Sequence, residues 1–113
     1  MWICYDGNMQ DRFKAGARLF NRRAYWEAHE AWEADWRTAE GEERKYLSAL
    51  ILLAAALHKR WVHENVKHRN FDKALRYLND LPCHYDGVNL DALKNSVWEA
   101  LSDPEVTPNI PLD

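Results

Sequence analysis

The twelve residues from Tyr46 to Leu57 contain a single polar side chain, Ser48. A helix that crosses a membrane needs about 20 such residues, so this run belongs inside a folded body rather than in a bilayer. Glu42 and Glu43 precede it, and Lys59, Arg60 and His63 follow it, charges that suit the two poles of a helix dipole. The run therefore predicts a helix from about Glu42 to Val62. It is apolar on nearly every face, so other helices must surround it. Ala54, Ala55 and Ala56 keep its girth small.

The flanking sequence supplies those neighbours. Asn8 is a candidate cap for a first helix in which Met9, Phe13, Ala17 and Phe20 form one apolar stripe, with Gly16 on its flank permitting close helix approach. Asn21-Arg22-Arg23 reads as a turn, and a second helix runs from about Ala24 to Arg37. A fourth, from about Val66 or His68 to Leu81, carries Phe71, Ala74, Leu75 and Leu78 and is stopped by Pro82. Asn89 is a good cap for a fifth, with Val88 and Leu93 in the hydrophobic-staple positions around it and Leu90, Leu93, Val97 and Leu101 as the buried stripe. No strand pattern of convincing length appears.

The expected fold is all-α: a five-helix antiparallel bundle around the central Ala/Leu-rich third helix. Residues 1–8 form a lead-in, residues 9–102 one helical domain and residues 103–113 a tail. That tail holds Pro104, Pro108 and Pro111 and is expected to be extended or disordered, with Ile110 and Leu112 available to pin it.

A chain of 113 residues can bury roughly two-thirds of its unfolded surface without a metal or disulfide. Six Trp, five Tyr and three Phe imply an aromatic-heavy core. The net charge of -3 argues against nucleic acid and anionic lipid as general partners. Cys4 and Cys83 lack any paired spacing and read as reduced thiols in a cytoplasmic protein, Cys83 as a small buried hydrophobe. Asp6, Gly7 and Asn8 interrupt what would be the apolar core of a secretory signal.

Candidate chemistry concentrates on the second helix. Tyr25, His29, Trp32 and Trp36 share one stripe, and Trp26, Glu30, Glu33 and Arg37 follow one position on. An imidazole and two carboxylates thus stand within an aromatic face, where burial demands partners. Arg37 lies i+4 from Glu33, and His58, in line with Leu47, Ile51 and Val62, brings a second imidazole toward His29 if the two helices pack. One reading is a satisfied polar network that also lines a ligand pocket. The sharper one is a divalent metal held by His29, Glu33 and His58, although His-Glu-x-x-Glu lacks the second histidine of the zincin signature and the paired Glu-x-x-His of di-iron bundles. The basic segment Lys59 to Arg69, with an exposed-looking Trp61, offers a phosphate or nucleic-acid contact but reads first as a solvated helix end.

Three stretches carry a family resemblance: Leu19-Phe20-Asn21 through Tyr25-Trp26-Glu27-Ala28-His29-Glu30 with Glu33 and Trp36-Arg37, then Gly41-Glu42-Glu43-Arg44, then Ile51 to His58. Together with Leu81-Pro82-Cys83 and Gly87-Val88-x-Leu90, they make the chain resemble the small bacterial and archaeal "domain of unknown function 309" proteins over about Phe13 to Leu101. The resemblance implies an all-α fold, a cytosolic origin and a signature centred on Glu27, His29, Glu30, Glu33, Trp36 and His58. It implies no reaction.

The sequence thus leads to a helical domain without an assigned reaction. A polar pocket between its second and third helices, drawn from Tyr25, Glu27, His29, Glu30, Glu33, Trp36, Arg37 and His58, serves a small ligand or protein partner. No cofactor is expected, and the molecule is a monomer or homodimer. The alternative is a metal-dependent hydrolase using His29, Glu33 and His58.

Overall fold

The computed structural model describes residues 9–65 and 67–112. Five helices follow one another: α1 (Asp11–Asn21), α2 (Tyr25–Trp36), α3 (Gly41–Trp61), α4 (Arg69–Leu78) and α5 (Leu90–Ala100). As the apolar run requires, α3 is the longest and lies at the centre, packed against both α2 and α4. Its Tyr46, Leu47, Leu50, Leu53, Ala54 and Leu57 are at most 1% exposed.

Side-chain contacts give the helix directions. Trp32 Nε1 donates to the Phe13 carbonyl at 3.1 Å while Phe20 meets Tyr25 at 5.3 Å, so α1 and α2 are antiparallel. Gly16 makes this approach possible, because a Cβ there would stand 2.4 Å from Trp32 Nε1. Lys45 pairs with Asp80 at 3.5 Å, whereas Ala56 and Lys59 share a hollow with Arg69 and Asn70, so α3 and α4 are antiparallel as well. At the far end of α3, Trp61 Nε1 donates to the Ala100 carbonyl at 2.9 Å and Arg60 Nε to the Leu101 carbonyl at 2.8 Å. These satisfy carbonyls that the end of α5 would otherwise leave unpaired. Trp61 is therefore half-buried, not exposed, because its indole is needed at that junction.

Of the stripe expected on α1, Phe13, Ala17 and Phe20 lie on the helix and are buried, while Met9, also buried, precedes its N-cap. The expected cap Asn8 lies outside the described residues; Gln10 occupies the N-cap position without a side-chain cap, and its backbone N–H donates to Asp86 Oδ1 at 2.8 Å. At the other end, the α5 cap is as read: Asn89 Oδ1 accepts from the Ala92 N–H at 2.9 Å, and both staple residues, Val88 and Leu93, are buried.

Between α4 and α5 the structure departs from the all-helical expectation. α4 ends at Leu78, four-residue turns closed by the Asp80 and Leu81 N–H groups on the Tyr77 and Leu78 carbonyls unwind the chain, and Pro82 cannot donate to prolong it. A small antiparallel hairpin follows, β1 (His84–Tyr85) with β2 (Val88–Asn89). Its turn residues Asp86 and Gly87 have φ of 54° and 75°. Positive φ at both central positions is what a two-residue hairpin turn demands, and Asp-Gly is a preferred pair for it. Cys83 precedes the hairpin and is exposed rather than buried, since its carbonyl is engaged by the Leu90 N–H at 2.7 Å and its side chain lies outside the core. Cys4 lies outside the described residues.

After α5 the chain forms turns and no further helix or strand among the described residues. Ile110 is nonetheless part of the core, wholly buried, with Pro108 buried beside it in sequence and Leu112 packed at the core's edge.

Candidate functional site

α2 buries one narrow face, Tyr25, Ala28 and Trp32, at spacing i, i+3, i+7. This leaves His29, Glu33 and Trp36 at the margins, half-buried, and turns Trp26, Glu27, Glu30 and Arg37 to solvent. The two glutamates therefore avoid the desolvation that an inward position would impose. No charged or polar side chain is buried among the described residues, so the expected buried carboxylate network does not form.

Five of the candidate residues border two hollows along the antiparallel α2–α3 pair, Tyr25, Glu27 and His58 the larger and Glu33 and Trp36 the smaller, whereas His29, Glu30 and Arg37 line neither. The larger, about 530 Å³, lies between the start of α2 and the end of α3. Tyr25, Trp26 and Glu27 line it from α2, His58 from α3, and Val62 and His63 from just beyond α3. Trp26 stacks on His29 with ring centroids 4.7 Å apart and planes 9° from parallel. The same indole meets His58 at 5.3 Å, and His58 meets the edge of His63 at 5.1 Å. The approach of His29 and His58 anticipated from the spacing is thus mediated by Trp26.

Arg23 completes the rim. It sits in the left-handed region at φ 65°, where the Arg23 and Ala24 N–H groups return to Phe20 and Leu19 and close the end of α1. Its guanidinium donates to Thr107 Oγ1, tying the α1–α2 turn to the C-terminal segment. Burial raises the Tyr25 hydroxyl above its ordinary value, opposed by the charge of Arg23. Burial also lowers His58 below its ordinary value, assisted by His63 and His29 and opposed by Glu27. These surroundings favour the neutral imidazole of His58 over its charged form. His29 Nδ1 is enclosed and has no hydrogen-bond partner.

The smaller hollow, about 200 Å³, lies near the other end of α2, where Glu33 and Trp36 face Ser48, Ile51 and Leu52 of α3 and Tyr77 of α4. Trp36 Nε1 donates to Ser48 Oγ at 2.9 Å, and Ser48 Oγ donates to the Arg44 carbonyl at 2.7 Å. The Arg44 guanidinium covers the Trp36 ring at 3.8 Å. Arg37 pairs with Glu33 at 3.6 Å, the i, i+4 contact read from the sequence.

Glu33 therefore borders a different hollow from His58. Among the described residues no three His, Cys, Asp or Glu side chains stand where they could share a metal ion. Four residues that line the larger hollow are not among the sequence candidates: Arg23, Trp26, Val62 and His63. For Trp26 the signal was the second stripe with Glu30 and Glu33; for His63 there was only its distance of five residues from His58.

Among the described residues no helix is long and apolar enough to cross a membrane. The sequence profile of a domain of unknown function, DUF309, matches residues 13–69, which hold most of α1, all of α2 and α3, and every residue of the larger hollow. A conserved hypothetical protein from Thermus thermophilus has a similar solved structure, with a TM-score of 0.73 and 36% identity over 82% of this chain and 97% of that one. No curated protein matches the chain. With its profile met over half the chain and a relative this similar in sequence and shape, the protein belongs to the DUF309 family.

Proposed function

We infer that this protein is a helical binding module whose larger hollow receives the planar, apolar part of a small ligand or of a partner's side chain on the face of Trp26. One observation carries the reading: Trp26 is 45% exposed yet held flat against His29 and beside His58. An exposed indole fixed by its neighbours is a preorganised platform, so little side-chain freedom is lost when something stacks on it. Val62, 62% exposed, extends the apolar wall. Glu27, His58 and Arg23 supply a few polar groups at the rim, the usual make-up of a ligand site. The reading takes the protein as cytoplasmic, a monomer or homodimer, and without a resident cofactor.

The test is an NMR titration with a panel of planar heteroaromatic fragments, following the tryptophan indole N–H signals. Saturable shifts should centre on Trp26 and disappear in Trp26→Ala, whose thermal melt should stay close to that of the parent. Fragments that bind only elsewhere, or bind Trp26→Ala equally well, would remove this hollow as the site.

A further inference from the structure

Three cations converge where α3 passes into α4. Lys59 lies in the last turn of α3, Lys67 in the connection, and Arg69 is the first residue of α4. With Asn65 and Asn70 they line a hollow of about 190 Å³ that shares no residue with the Trp26 hollow. No carboxylate lines it, and among the described residues none of the three cations has an ion pair.

Ordinary helix electrostatics accounts for only one of these charges. Lys59 stands at the C-terminal end of α3, where a cation is favoured. Lys67 and Arg69 stand at the N-terminal end of α4, the positive pole, where a cation is disfavoured and an anion is attracted. No side chain caps that end. Asn65 Oδ1 accepts from the Lys67 N–H at 2.8 Å, so its carbonyl is already engaged and its amide N–H groups remain as donors beside the hollow.

We propose that this hollow binds a small phosphate-bearing dianion, inorganic phosphate or a phosphomonoester, gripped by Lys59, Lys67 and Arg69 with the amide donors of Asn65 and Asn70. Cations reach it from three separate segments, which suits a tetrahedral oxyanion with acceptors in several directions better than a planar carboxylate served by one guanidinium fork. The hollow holds several waters' worth of room, and no aromatic ring lines it on which a base could stack. The net charge of -3 gives no field to gather a polyanion. A single compact phosphate group meets all of these conditions.

Calorimetric titration of the full chain at constant ionic strength tests the site, with inorganic phosphate and glycerol phosphate as the two probes. One saturable site is expected with Kd below about 1 mM, weakened roughly tenfold by Arg69→Ala or by Lys67→Ala, the size of one charge-assisted contact. Phosphate should also raise the melting temperature of the parent and not of the Lys59→Ala/Lys67→Ala/Arg69→Ala variant. Tighter binding of glycerol phosphate would make an organic ester the ligand; equal binding would make it free phosphate. Absence of saturation, survival of binding in the triple variant, or an equal loss in Arg76→Ala, which removes a charge from α4 outside the hollow, would overturn the proposal. All three cations are exposed, so the variants are expected to fold.

Discussion

Asn21 and Ile110, 89 residues apart, are joined by a pair of hydrogen bonds: Asn21 Nδ2 donates to the Ile110 carbonyl at 2.9 Å, and the Ile110 N–H donates to Asn21 Oδ1 at 2.7 Å. A primary amide here completes one rung of backbone pairing that the irregular C-terminal segment cannot find elsewhere. It holds the wholly buried Ile110 side chain against the end of α1. Asn21→Ala leaves both backbone groups unpaired and should cost about 1–3 kcal/mol. Urea unfolding measures the loss, and hydrogen exchange locates it, since the Ile110 amide should lose protection first. Unchanged exchange at Ile110 would show that the clamp does not hold the segment.

Gly16→Ala sets two effects against each other. Alanine in a helix interior is favoured over glycine by about 1 kcal/mol. Against that, the new Cβ would meet three ring atoms of Trp32 at 2.4 to 2.7 Å, and this indole is 0% exposed and donates to the Phe13 carbonyl. Overpacking of this kind costs about 1–3 kcal/mol, and displacing the ring also strains its hydrogen bond. The clash wins, and a net loss in denaturant stability is expected. A variant more stable than the parent would mean that α1 and α2 move apart freely.

These two sites fall on opposite sides of what the sequence makes legible: Gly16 on the flank of the α1 stripe signals a close approach, and the Asn21 clamp has no such signal. The stripe Met9, Phe13, Ala17, Phe20, the apolar run of α3 and the Asn89 cap are local patterns, each written within one helix. The Asn21 clamp and the bond from Tyr46 to Asp86 join residues far apart in sequence, and side-chain amides and carboxylates carry no mark of a distant partner. α2 was ambiguous for another reason: Tyr25, Trp26, Trp32 and Trp36 put aromatic rings on several sides, so periodicity alone did not decide whether Glu30 and Glu33 faced inward. The hairpin did leave a signal in Asp86-Gly87, but strands of two residues are too short to show alternation.

Asp86 predicts a pH dependence. Its Oδ1 accepts from the Gln10 N–H at 2.8 Å and its Oδ2 from the Tyr46 hydroxyl at 3.0 Å, yet burial outweighs these bonds and raises its carboxyl above the ordinary 3.8, with Glu43 adding to the rise. A carboxyl whose folded value lies above its unfolded one binds more protons when folded. Its contribution is therefore most favourable below the unfolded value and declines as pH rises through the folded one. Asp86→Asn keeps an acceptor for Gln10 and suits the positive φ of the turn, while abolishing the ionisation. Stability measured by denaturant from about pH 3 to 7 should fall for the parent relative to Asp86→Asn as pH increases. A constant difference across that range would mean that Asp86 does not titrate under strain.

His58 tests the geometry of the larger hollow without any ligand. Because burial lowers its protonation midpoint below 6.5, the unfolded chain binds its proton more readily, and the contribution of His58 to stability is present above pH 6.5 and lost as pH falls toward and through the folded midpoint. The charged neighbours supply the specific check. His63→Ala removes a group that disfavours the imidazolium, so the His58 midpoint should rise; Glu27→Gln removes one that favours it, so the midpoint should fall. An NMR titration of the His58 ring protons reads both shifts directly. Opposite displacements in the two variants require that His58 face Glu27 across the hollow while touching His63, because neither residue is covalently adjacent to it and solvent would screen both if the α2 and α3 ends stood apart. If neither substitution moves the midpoint, the start of α2 and the end of α3 do not enclose a common hollow, and Trp26 loses the wall that makes it a platform.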